Sequence, residues 1–241
     1  MAFPMLSVFE QEEERLRRNE PHDFWFPPPD DIAEIIDKGK GNSIDAHNKM
    51  ADFEKGGPVN GSGAYPLLSA GEYHEYIAKD LGKAVACYKE AVKLYPDDGL
   101  PSRASQAPFT VGVWANIQIA ICLQKQGLHE DAVQYYEHHY PWRMFWFEIA
   151  ECHKKANNKP EAKKFYKMAA EYHIEGSWGS SPELAFRAAV ALNDNALMKQ
   201  AVAAVKKKYS PAAARATLEQ MRDWAEKTNN KDAIKMLKEN R

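Results

Sequence analysis

Two apolar stripes of helical period, joined by a short polar turn, constrain this chain more than any other feature. Trp146, Ile149, Ala150 and His153 stand at i, i+3, i+4 and i+7, and Ala162, Phe165, Tyr166, Ala169 and Ala170 repeat the stripe. Such spacing predicts one apolar face on each of two helices. Between them, Asn157-Asn158-Lys159-Pro160 reads as a tight turn, with Pro160 suited to the first turn of the second helix. The alanines let two helices approach closely, and a large neighbour such as Tyr166 fills the adjoining gap.

Related units lie on either side. Ile119-Ala120-x2-Leu123 leads to Gly127 at a turn and then to Ala132-x3-Tyr136. Leu81-Gly82-Lys83-Ala84-x3-Tyr88-x2-Ala91-x4-Pro96 is another, with its first helix expected over about 67–79. Weaker pairs are expected at about 182–193 and 195–208, anchored on Ala189, Leu192, Ala201 and Val205, and at about 212–227 and 230–240, with Trp224, Ala233 and Leu237. The pattern resembles the tetratricopeptide repeat, W-x2-L-G-x2-Y, then A-x3-F, then P. It is matched here by Trp146-x2-Ile149-Ala150 and Ala162-x3-Tyr166. The anchoring alanines 84, 132, 162, 201 and 233 are 48, 30, 39 and 32 residues apart, against a family period of about 34. A Pro/Ser/Gly-rich insert at 97–110 explains the first gap, and the rest make the array irregular, with some units closer to the Sel1-like variety. The resemblance covers about 66–240. It implies an all-α fold, a right-handed superhelix of antiparallel helix pairs (an α-solenoid) over 66–241, preceded by an irregular N-terminal arm over 1–65 with short helices and Pro/Gly-rich segments.

In that family the first helix of each pair lines the inner surface. The resemblance therefore implies a peptide-binding stripe made of Tyr73, Tyr76, Trp114, Ile117, Ile121, Met144, Phe147 and Phe186, with Glu151 and Val190 alongside. Ser69, Ile117 and Phe147 stand where a basic clamp for acidic tails would need Lys, Asn or Arg. An apolar or amphipathic helical segment of a partner protein is the expected ligand. The expected function is a protein-binding adaptor or scaffold. The alternative is a structural subunit of a larger assembly, anchored by the arm.

The arm has its own logic. In residues 6–18, Glu10, Glu12, Glu13 and Glu14 precede Arg15, Arg17 and Arg18, the order that a helix dipole favours. Phe24-Trp25-Phe26 then runs into Pro27-Pro28-Pro29, which imposes an extended chain. Three aromatics are costly in water, so the arm is expected either to strap across the helices or to reach a partner. A short helix is expected over 31–37, with Ile32, Ile35 and Ile36 as its apolar face.

Charge and chemistry exclude several classes. The formal net charge is -2, which gives no global reason to bind nucleic acid. Residues 199–241 nevertheless carry about six more bases than acids, densest at Lys206, Lys207 and Lys208. Cys87, Cys122 and Cys152 are widely spaced with no CxxC, which argues against disulfides and against zinc. His74-Glu75 and His129-Glu130 begin a metalloprotease signature, but Ala78 and Val133 occupy the second histidine's place. His138 and His139 point about 100° apart on a helix. No phosphate loop and no Gly-x-Ser-x-Gly elbow occurs. The expectation is a non-enzymatic protein with no cofactor and no metal. No secretory leader and no membrane span are read, and a cytoplasmic location is expected.

Overall fold

The computed structural model describes residues 26–56, 63–97, 110–138, 143–176 and 180–239. The helix expected over 6–18, Phe24, Trp25, His139 and most of the insert lie outside the described residues. The described chain is all-helical. In order come α1 (Asp30–Asp37), α2 (Ile44–Lys55), α3 (Tyr65–Glu72), a π-helical turn (Tyr73–Ile77), α4 (Leu81–Leu94), α5 (Val111–Lys125) and α6 (His129–His138). A 3-10 turn (Arg143–Phe145) then leads into α7 (Trp146–Lys155), α8 (Lys159–Glu175), α9 (Pro182–Leu192), α10 (Asn195–Lys208), α11 (Pro211–Lys227) and α12 (Lys231–Glu239). No strand occurs among the described residues. Helix α2 falls where an irregular arm was expected; Ser43 caps it, accepting the Ala46 N–H at 3.3 Å.

The helix-to-helix turns share one device. Gly127, Asn157, Asn193 and Asn229 have φ between 53° and 78°, the left-handed region. The next residue in each case donates its N–H to a carbonyl five residues back: Leu128 to Leu123, Asn158 to His153, Asp194 to Ala189 and Asn230 to Ala225. This closes the preceding helix. Asn158, Asp194 and Asn230 then cap the next helix with their side chains. A glycine or asparagine followed by a capping residue thus both ends one helix and starts another. Lys79-Asp80 plays a similar part after the π turn: Lys79 has φ 57°, the Asp80 N–H bonds the His74 carbonyl six residues back, and Asp80 accepts the Lys83 N–H at 3.0 Å.

The chain divides into two compact units, with described residues 26–138 in one and 143–239 in the other. In both, helices pack chiefly on their sequence neighbours. The N-terminal unit is centred on α5, whose buried residues Trp114, Ala115, Ile117, Ile119, Ala120 and Cys122 go all round the helix. A helix apolar on every face must be enclosed, and α5 lies against α4 and α6. Gly71 is required for close approach: a Cβ there would overlap the ring of the fully buried Tyr88.

In the C-terminal unit, Phe186, Ala189, Met198, Ala201, Val205, Met221, Ala225 and Leu237 form the core. His173 near the end of α8 is 1% exposed, and its Nδ1 accepts the Ser181 N–H at 3.0 Å. Its neutral form therefore carries the proton on Nε2. Burial, with the Lys208 charge second, lowers its pKa from 6.5 to about 3. A depressed histidine pKa means that the unfolded chain takes up this proton before the folded one. Stability held above pH 6.5 is then lost as pH falls toward 3, by up to about 1.4 kcal/mol per unit from this group. Urea unfolding of the parent and of His173→Gln between pH 7 and pH 4 tests this. The expected result is a shallower loss of stability in the variant, and equal slopes refute the assignment.

Candidate functional site

Seven of the eight residues expected to line a peptide groove are buried: Tyr73, Tyr76, Trp114, Ile117, Ile121, Phe147 and Phe186 are each 8% exposed or less. Met144 is half-buried. In the N-terminal unit the protein's own chain covers part of the stripe. Phe26 is fully buried and meets the Trp114 ring edge-on at 4.8 Å and that of Tyr65 at 6.0 Å. Its N–H donates to Glu72 Oε2 at 2.8 Å, and Tyr65 Oη donates to the Pro27 carbonyl at 2.8 Å. Tyr73 Oη donates to the Gly41 carbonyl at 2.7 Å. The middle of the arm is thus strapped onto α3 and α5, and a peptide reaching Trp114 would have to displace Phe26.

Beneath the strap lies a buried polar node. Glu75 accepts from Lys125 Nζ at 2.8 Å and from Tyr88 Oη at 3.0 Å. Lys125 also lies over the Tyr76 ring at 4.8 Å. Burial, with Glu75 second, pushes the Tyr88 phenol well above its ordinary value. In the C-terminal unit, Arg187 plays a related part, its guanidinium 4.8 Å from the Phe147 ring centre and 5.4 Å from that of Trp224. These expected groove residues serve as core and as ring partners for a buried cation.

An open concavity exists elsewhere, on α10, α11 and α12. It has a volume of about 670 Å³ and is lined by Ala214, Leu218 and Leu237 on its floor and by Lys206, Arg215 and Arg222 around them. Lys206 and Arg215 are exposed, while Arg222 pairs with Glu219 at 3.0 Å. That volume is in the ordinary range for ligand sites. The signal was present in the sequence: Arg215, Leu218, Glu219 and Arg222 stand at i, i+3, i+4 and i+7, one face of α11.

For nucleophilic or metal chemistry, Glu54 of α2, His74 of the π turn and Cys87 of α4 converge, their ligand atoms all within 4.8 Å of one another. Burial first, then the Glu54 charge, pushes the Cys87 thiol up to about 12, so it is no thiolate nucleophile. Burial first, then the Lys83 charge, lowers His74 to about 4, leaving a neutral imidazole. All three cysteines are free and buried. No described helix is long and apolar enough to cross a membrane. Compared with known proteins, the chain matches no family model, no curated protein and no solved structure.

Proposed function

We propose that this protein is a non-catalytic, tetratricopeptide-like binding module, and that its C-terminal unit docks an amphipathic, acid-bearing segment of a partner protein. The concavity on α10–α12 carries the reading: apolar residues beside three cations, against one carboxylate (Glu219, paired with Arg222), take a ligand with one greasy face and flanking carboxylates. Neighbour-on-neighbour helix packing and the repeated turn device support the repeat-like architecture. This mixed apolar and basic lining keeps the expected amphipathic ligand and moves it from the aromatic stripe to α11.

A peptide-display selection against the full chain tests this. Selected sequences are expected to combine large apolar residues with Asp or Glu. Lys206→Glu with Arg215→Glu, both on exposed side chains, is expected to weaken them about tenfold or more, or about 1.4 kcal/mol. Selection of nothing above background, or affinity unchanged in the double variant, rejects the proposal.

A further inference from the structure

We propose that Glu54, His74 and Cys87 form a binding site for one divalent transition-metal ion of the zinc class. The three side chains are 20 and 13 positions apart in sequence, yet α2, the π turn and α4 bring their oxygen, nitrogen and sulfur donors within 4.8 Å of one another. Cys87 Sγ and Glu54 Oε1 stand 3.7 Å apart. Two ligands on a tetrahedral zinc, with bonds of about 2.3 Å to sulfur and 2.0 Å to oxygen, are about 3.5 Å apart. The pair is therefore close to ligand spacing.

A second observation concerns His74 itself. It is 8% exposed, and its Nδ1 is buried with no hydrogen-bond partner. An unsatisfied ring nitrogen at such a depth destabilises the fold unless a ligand takes it. His74 also sits in the π turn Tyr73–Ile77, marked by the Ala78 N–H bonding the Tyr73 carbonyl five residues back. Such one-turn insertions are frequent at functional sites.

The donor set selects the metal. One imidazole, one thiol and one carboxylate suit zinc and its neighbours rather than magnesium or calcium, which want oxygen alone. Binding forms a metal–sulfur bond as the Cys87 S–H bond breaks, and that proton leaves to solvent. Glu54 is half-buried, which leaves an entry path and room for water as the fourth ligand. Around the site, Asp80 favours a cation, while Lys83 and His47 oppose it. With Glu54 and the bound thiolate both negative, the balance favours the ion.

The test uses the untagged full chain, stripped of metal by a chelator and titrated with cobalt(II). The expected result is one cobalt per chain, with a thiolate-to-cobalt charge-transfer band and tetrahedral ligand-field bands that zinc abolishes by competition. Cys87→Ser is expected to lose the charge-transfer band, while Cys122→Ser keeps it. Glu54→Gln, at a half-buried position, is expected to weaken binding about tenfold or more while leaving the circular dichroism spectrum unchanged. Absence of the band, a band that survives Cys87→Ser, or an unchanged affinity in Glu54→Gln overturns the proposal.

Discussion

Replacing Lys125 with alanine is expected to destabilise the N-terminal unit by about 3–5 kcal/mol. The reason is what the change leaves behind. The Glu75 side chain is 0% exposed and that of Lys125 12%, with 2.8 Å between them. Without the ammonium, the carboxylate keeps the Tyr88 hydroxyl at 3.0 Å and the Cys122 thiol, and neither carries a compensating charge. Water cannot replace the lost partner at that depth. Removing the charge as well, in Glu75→Gln with Lys125→Met, is expected to restore most of the loss, because an uncharged core of similar volume carries no such penalty. Urea unfolding of the three variants checks this. A single variant no worse than an ordinary surface change would mean that Glu75 is solvated in solution.

The second large effect is expected at Phe26. Its ring is fully buried between Trp114 and Tyr65. Phe26→Ala is expected to cost about 3 kcal/mol or more. The strap is expected to lift before the helices beneath it unfold, so the loss falls first on docking. A change of that size raises the lifted population about a hundredfold. Trypsin cleavage after Lys38 and Lys40 reports it, with circular dichroism as the control for the helices. An unchanged cleavage rate would show that Phe26 does not hold the strap.

Much of the local structure was legible before any coordinates. The pairs read at 182–193 with 195–208, and at 212–227 with 230–240, correspond to Pro182–Leu192 with Asn195–Lys208 and to Pro211–Lys227 with Lys231–Glu239. Apolar period and Asn or Gly punctuation act over a few residues, so they survive in the sequence. Helix α2 was missed because its apolar side is thin: only Ala46 and Met50 are buried on it. The stripe through Trp114 and Phe147 was correctly apolar, but an apolar stripe does not say what will cover it. Phe26, 88 positions from Trp114, supplies part of that cover. The α11 face was readable as a mixed basic and apolar stripe, yet its concavity depends on how α10 and α12 flank it.

The sequence by itself determined that this chain is helical, roughly where most of the described helices other than α2 begin and end, and which side of them seeks cover. Those properties come from hydrogen bonds and side-chain spacings within one or two turns. The tertiary structure alone decided that the aromatic stripe is filled rather than open. It also decided that Lys125 meets Glu75 across 50 positions and that Glu54, His74 and Cys87 face one another. Each of these joins residues on different helices, and their separation along the chain follows no period, so only packing brings them together.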